Sequence, residues 1–376
     1  MIYLDSAATT LPRKEVLDCF VLAAGKDYAN SSSAHGFGRQ AERALEEARK
    51  NLLDAFGLGK THQALFCSGA TEANNLALKG IALQYRNRGK KILVSSVEHP
   101  SVLEPAAFLA KEYGFDVVLL PVDEWGRVEP KTLEAAMDNQ VILVSIMGVN
   151  NETGAVNDLR ALSEIAHRYP KCYFHSDLTQ AIGKVDVPYS CLDLFSYSGH
   201  KLHGIKGSGA LVYKNSLRFV PVLHGGGQEF GFRSGTVSLP LCASLSLATA
   251  LSLKERSVNL SFVQGLNQAL VAGLDPSFVR WNSSSEGSPY VANFSLTKHK
   301  ASVLVEALSR EEIYVSSASA CSSRTDKTSK VLLAMGKTKE DADNAIRVSF
   351  DASNTLEEVQ VFVATMNRLF KEVHAR

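Results

Sequence analysis

The chain has 376 residues, with 40 Lys+Arg against 39 Asp+Glu, a formal net charge of +1, and 45% hydrophobic against 21% charged residues. So even a balance lacks the basic excess of a protein whose main partner is nucleic acid, and so apolar a chain does not stay disordered. The length suggests two domains.

The start, Met1-Ile2-Tyr3-Leu4-Asp5-Ser6, has no basic stretch leading into an apolar one, so no secretory signal is expected. The most hydrophobic stretch, 239–253, is interrupted by Ser244, Ser246, Thr249 and Ser252 and reads as a buried helix, not a membrane span. The expectation is a soluble cytoplasmic protein with neither membrane nor direct nucleic-acid partners. The six cysteines (Cys19, Cys67, Cys172, Cys191, Cys242, Cys321) show no CxxC spacing and read as thiols, with no zinc site. Five have apolar neighbours and read as core. Cys321 does not.

Short β-branched runs predict strands at 64–67, 91–95, 117–120, 141–146, 172–175, 192–196 and 209–213. Helical patterns fall between them at 71–88, 101–113, 131–137 and 157–169. Ser101 and Glu104 have the spacing of a capping box. Strands alternating with helices imply a mostly parallel sheet covered on both faces, with ligands beyond the carboxyl ends of its strands. After Val237 the rhythm changes to a helix at 239–256, strands at 291–296, 313–316 and 345–350, and helices at 302–310 and 355–374. The last helix carries Val359, Phe362, Met366 and Phe370 on one face, and Thr355 with Glu358 can cap its start. This second set reads as a smaller α+β domain.

Six motifs carry chemistry. In Phe66-Cys67-Ser68-Gly69-Ala70-Thr71 a strand gives way to a helix through small residues, which suits a phosphate cradle, although Thr71 also reads as an ordinary cap. Asp177, just past a strand, is placed for ligand contact or for helix capping. Ser198-Gly199-His200-Lys201 puts a lysine among Gly, Ser and His after another strand, where a desolvated amine suits Schiff-base chemistry. An acid paired with a lysine is the arrangement that holds pyridoxal 5'-phosphate (PLP). His99, in Glu98-His99-Pro100-Ser101, can stack on a ring and exchange protons, or be structural. Gly225-Gly226-Gly227-Gln228-Glu229 with Arg233-Ser234-Gly235-Thr236 reads as an ordered polar segment. Between Val315 and Val331 nothing bulky and apolar occurs, so Cys321 sits on a small polar loop where Arg324 and Lys327 favour the reactive thiolate.

These motifs occur in an order that resembles the cysteine desulfurases of the NifS/IscS type, class-V aminotransferases of PLP-dependent fold type I. The likeness runs from Tyr3-Leu4-Asp5-Ser6-Ala7-Ala8-Thr9-Thr10, through Val149-Asn150-Asn151-Glu152-Thr153-Gly154, to Ile346-Arg347-Val348-Ser349. It implies an α/β fold: a large domain with a mixed, mostly parallel seven-stranded sheet, and a smaller α+β domain. The large PLP-binding domain would span 13–254. The small one would take 1–12 and 255–376 and carry the cysteine loop at about 316–330.

By that resemblance Lys201 would carry PLP, Asp177 would pair with its ring nitrogen, Gln180 would contact the ring hydroxyl and His99 would stack on the ring. Ala70, Thr71, Ser198 and His200 would hold the phosphate, and Thr236 would reach the phosphate of the partner in a homodimer. Asn150, a cofactor contact as well, and Arg347 would bind the substrate carboxylate with Asn30 nearby. Cys321 would take sulfur from L-cysteine as a persulfide, leaving L-alanine, and hand it to an acceptor or scaffold protein for iron–sulfur assembly or thiolation. No resident metal is implied; a transient iron–sulfur ligand role for Cys321 stays open. Ser31, Leu178, Ile205, Ser238 and Ala318 depart from the family pattern. A related PLP enzyme acting on selenocysteine, an aminotransferase, or a non-catalytic sulfur relay are the alternatives.

Overall fold

The structure, a computed structural model, describes residues 1–317 and 328–372. A two-residue strand β1 (Ile2–Tyr3) leads to helices α1 (Lys14–Lys26) and α2 (Gly36–Ala55), neither of which the sequence patterns above anticipate. Next come β2 (His62–Cys67), α3 (Ala70–Tyr85), β3 (Lys91–Ser95), α4 (Pro100–Tyr113) and β4 (Asp116–Leu120). After these lie α5 (Pro130–Ala136), β5 (Val141–Ser145), α6 (Leu159–His167), β6 (Tyr173–Asp177), β7 (Leu194–Ser198) and β8 (Gly209–Lys214).

These strands form a seven-stranded sheet in the order β2-β8-β7-β6-β5-β3-β4. All run parallel except β8, which is antiparallel to both its neighbours. Successive side chains of one strand enter different cores: Leu65, Ile92 and Leu143 join one apolar cluster, and Phe66, Leu93 and Val144 join another. The pleat sends neighbours to opposite faces, and both faces of the inner strands are covered, so β3 and β5 read as nearly unbroken apolar runs.

The helix expected to stop at Arg256 continues as α7 (Leu239–Gly273), 35 residues and about 52 Å long. The polar stretch from Lys254 to Ser261 marks no end. It spans the gap between two burial sites: Leu239, Leu245 and Ala248 pack in the large-sheet core, and Val263, Leu266 and Leu270 in a separate cluster. That cluster also takes β9 (Val279–Trp281), β10 (Val291–Leu296), α8 (Ala301–Arg310) and β11 (Ile313–Tyr314). The remaining elements are β12 (Ser316–Ser317), α9 (Lys330–Ala334), α10 (Lys339–Asp343), β13 (Ala345–Ser349) and α11 (Leu356–Glu372). An antiparallel sheet β12-β13-β10-β9 forms, and β1 pairs with β11, returning the chain start to this half.

The Thr355–Glu358 capping box forms, with Glu358 accepting the Thr355 N–H at 3.0 Å and Thr355 Oγ1 accepting the Glu358 N–H at 3.2 Å. The Ser101 box does not. Pro100 takes the first helical position of α4, which moves the N-cap back to His99. Cys67, Cys172 and Cys242 are buried as expected, but Cys19 and Cys191 are only half-buried, the first on a helix flanked by exposed Leu17 and Leu22. Among the described residues no helix is long and apolar enough to cross a membrane.

Candidate active site

Along the carboxyl edge of the large sheet the residues following several strands surround a cavity of about 250 Å³. Ala70 and Thr71 open α3 after β2, and His99 caps α4 after β3. Asp177 ends β6, Ser198 ends β7, and His200 with Lys201 lies in the 3-10 turn Gly199–Lys201. The sheet thus gathers groups more than 100 positions apart in the chain.

Local chemistry explains each placement. Gly69, the N-cap of α3, offers no capping side chain; the Ala70 N–H goes instead to Ser198 Oγ at 2.7 Å, joining the ends of β2 and β7. Thr71 is therefore within the helix, not its cap. Glu72 in the first turn would repel an anion there, but Arg233 Nε pairs with it at 2.6 Å and the Ser68 N–H donates to it at 2.7 Å. The helix start keeps its positive end for an anionic group.

Lys201 Nζ donates to the Ala7 and Ala8 carbonyls at 2.5 and 2.6 Å, so the chain start lies over it. Asp177 is buried; its Oδ1 accepts the Thr179 N–H at 2.9 Å and its Oδ2 accepts from Asn74 Nδ2 at 2.8 Å. Gln180 lines the cavity, donates to the Ala7 carbonyl at 2.9 Å and accepts from Lys184 Nζ at 2.8 Å. Burial pushes Lys184 down to about 7, reinforced by the charge of Lys201. Burial also holds His99 below the ordinary imidazole range, with Asp177 pulling the other way and Lys201 adding to it. His200 is pushed down to about 4 by burial and then by Lys201, Lys206 and Lys184. Glu98, beside His99, is raised by burial although its Oε1 accepts the Met147 N–H at 2.6 Å.

An amine, a buried carboxylate, an imidazole and an uncapped helix start on one cavity form a donor set that fits a ring cofactor with an anionic arm. The fit does not extend to every expected residue. Asn150 is fully buried and its amide closes the turn after β5: Nδ2 donates to the Val97 carbonyl at 3.0 Å and Oδ1 accepts the Glu152 and Thr153 N–H groups. That turn presents Asn151, not Asn150, on the cavity wall. Arg347, on β13, pairs with Asp5 at 2.8 Å and donates to the Asn151 carbonyl at 3.0 Å, so it lies behind that wall. Asn30 is exposed and accepts the Ser32 N–H at 2.9 Å, and Thr236 is exposed; neither lines the cavity. Cys321 and Ala318 lie outside the described residues.

Sequence reasoning missed Asn151, Lys184, Asn74 and the Ala7 and Ala8 carbonyls. Asn74 had a signal: it lies three residues after Thr71, on the same helical face.

The model of the family described as Aminotransferase class-V matches residues 2–362. The chain belongs to the class-V aminotransferase family. Among class-V relatives, a NifS/IcsS protein homolog from Lactobacillus delbrueckii subsp. bulgaricus is 39% identical over 377 residues, covering 99% of this chain and 97% of that protein. Cysteine desulfurase IscS from Dictyoglomus turgidum is 36% identical over 377 residues, covering 99% and 95%. The solved structure of a NifS-like protein superposes with a TM-score of 0.91 at 32% identity over 99% of this chain and all of that one. The class-V fold, with its mixed seven-stranded sheet, is the one expected from the motifs.

Proposed function

We propose that this chain is a PLP-dependent cysteine desulfurase. One observation carries the reading: Lys201, Asp177 and His99, from three different strand ends, line the same cavity. The likeness to NifS and IscS proteins over nearly the whole chain supports it.

In this reading the Lys201 amine would carry the cofactor, Asp177 would pair with its ring nitrogen, and Ala70, Thr71, Ser198 and His200 would hold its phosphate. Bound PLP supplies an electron sink for the substrate α-carbon. The Lys201 amine, released from its contacts with the Ala7 and Ala8 carbonyls, would move the α-proton of the substrate. Arg347, which bridges the Asn151 carbonyl of the cavity-wall turn and Asp5 of the chain start, would take the substrate carboxylate by giving up its contact with Asp5. Asn151, rather than Asn150, is the residue of that turn placed to meet substrate.

Cys321 is the sulfur acceptor. Its thiolate attacks the sulfur of L-cysteine, the substrate carbon–sulfur bond breaks, and a proton completes L-alanine. L-cysteine plus a Cys321 thiol thus become L-alanine plus a Cys321 persulfide, which passes its outer sulfur to an acceptor protein. A homodimer belongs to the reading, with exposed Thr236 reaching the partner's cofactor phosphate.

The test supplies PLP and L-cysteine and measures L-alanine and, with a thiol reductant, sulfide. Wild type should form both, Lys201→Ala neither, and Cys321→Ala should lose alanine formation. Alanine release that survives Cys321→Ala would sink the persulfide route. A wild-type protein that takes up no PLP would sink the enzyme assignment.

A further inference from the structure

From Ser101 on the cavity wall a chain of buried polar side chains runs inward, and the reaction above assigns Asn74, Ser101, Ser196, His175 and Ser145 no task. Asn74, fully buried on α3, donates from Nδ2 both to Asp177 Oδ2 and to the Ser101 hydroxyl, each at 2.8 Å. Its Oδ1 accepts from Ser196 Oγ. Ser101 meets His99 Nδ1 twice, through its hydroxyl at 2.9 Å and its backbone N–H at 3.1 Å. On the other side His175 Nε2 lies 3.2 Å from Ser196 Oγ, and His175 Nδ1 lies 2.8 Å from Ser145 Oγ.

Counting hydrogens sets the direction of every bond in this chain. A carboxylate only accepts, so the Asn74 amide turns its NH2 toward Asp177. The second hydrogen of that NH2 goes to Ser101 Oγ, which leaves the Ser101 hydroxyl hydrogen for His99 Nδ1. The Ser101 backbone N–H points at the same nitrogen and can only donate. His99 Nδ1 is therefore an acceptor, and the neutral ring carries its hydrogen on Nε2. By the same count Ser196 donates to Asn74 Oδ1 and accepts from His175 Nε2, while Ser145 donates to His175 Nδ1.

We propose that Asn74 is a positioning residue that, from one buried amide, orients the Asp177 carboxylate and, through Ser101, fixes His99 in its Nε2–H form. A ring so held can give a hydrogen from Nε2 but has no lone pair there to take one, so abstraction of the α-proton falls to the Lys201 amine. Protonating His99 means adding a hydrogen to Nδ1 against two donors. The charged and titratable groups around the ring are Asp177 from β6, Lys201 and His200 from the turn after β7, Lys79 from α3, and Glu98 and Glu104 beside it in sequence. Burial already disfavours the charged ring, and the two donors act in the same direction.

The inference rests on the desulfurase reading only for the tasks of His99 and Asp177, and its test needs no turnover. The full chain is labelled with nitrogen-15 histidine and followed as purified, without substrate, with the His99 signal assigned by its loss in His99→Gln. Wild type should show one neutral form, hydrogen on Nε2. Ser101→Ala removes one donor, and Asn74→Leu frees the Ser101 hydroxyl to accept from Nδ1. Each should raise the His99 titration midpoint by about one pH unit, tenfold in proton affinity. The double variant should move it no further than the larger single change, because both act through one path. A wild-type Nδ1–H ring, an unmoved midpoint in Ser101→Ala, or additive shifts would each overturn the proposal. Should Asn74→Leu fail to fold, Ser101→Ala decides alone. A protein that shows these shifts yet makes no alanine from L-cysteine loses the desulfurase reading and keeps this one.

Discussion

Arg49 and Glu229 form a two-pronged ion pair sealed inside the protein, Nη2 to Oε1 at 2.8 Å and Nη1 to Oε2 at 3.0 Å, with both side chains under 5% exposed. Glu229 Oε2 also accepts the Phe66 N–H at 2.8 Å, and the Arg49 guanidinium lies 5.0 Å from the Phe66 ring and 4.8 Å from the Phe230 ring. The pair fastens the glycine-rich segment to β2, the strand that leads into the α3 helix start. Glu229→Gln leaves Arg49 buried with only the exposed Glu46, 3.3 Å from its Nε, as counter-charge, which costs about 3 kcal/mol. Urea denaturation of the variant measures it, and a loss below about 1 kcal/mol would mean other contacts hold the segment.

Gly209, on β8 between β2 and β7, is where the backbone leaves no room. A methyl group there would sit 2.6 Å from Gly69 Cα and 2.6 Å from the Tyr197 carbonyl oxygen, both backbone atoms. Gly209→Ala must therefore push the Gly69 turn and the end of β7 apart, with a loss of about 1–3 kcal/mol. PLP uptake, followed by visible absorbance, should weaken in parallel with the melting temperature. Unchanged uptake would separate the cradle from this close approach.

Lys184 sets a pH-dependent penalty. Its folded-state value is pushed down to about 7 by burial, while an unfolded lysine titrates near 10.4. Between those values the unfolded chain binds more protons, so the penalty is fully present below about pH 7 and is relieved as pH rises. Lys184→Met removes the penalty along with the contact to Gln180. Its stability relative to wild type should be more favourable at pH 6 than at pH 9 by about 1–3 kcal/mol. Equal differences at both pH values in urea titrations would exclude the effect.

Acid should unfold the protein through its buried histidines. Burial pushes His175 down to about 4 against the pull of Asp177, and burial lowers His62 as well. Unfolded histidine titrates near 6.5, so the unfolded state binds more protons below that pH and stability falls between about pH 6.5 and 4. His175→Asn should reduce the proton uptake on unfolding in this window by about one. A stability–pH slope unaltered by the substitution would show that His175 does not titrate with unfolding.

The inner strands of the large sheet were legible because they bury both faces and read as short runs rich in β-branched and apolar residues; β3 and β10 have the bounds their runs suggested. Lys201, Asp177 and His99 were legible because a polar group just past such a run faces the edge where ligands bind. Helices α1 and α2 escaped notice, and the Ser101 cap failed because the proline at position 100 moves the helix start back by one residue.

The average, neutral composition and the local patterns determined that this chain alternates strands and helices, carries a lysine, an acid and a histidine at the ends of separate strands, and surrounds Cys321 with small polar residues in the sequence. Only the tertiary structure decided that Ala7 and Ala8, 194 and 193 positions before their partner, receive the Lys201 amine. It also decided that Asn151 rather than Asn150 lines the cavity, and that Asn74 ties Asp177 to His99. Periodicity and capping act over a few residues and leave a local trace. A hydrogen bond between distant segments leaves none, because which group faces which is set by how the sheet and helices pack.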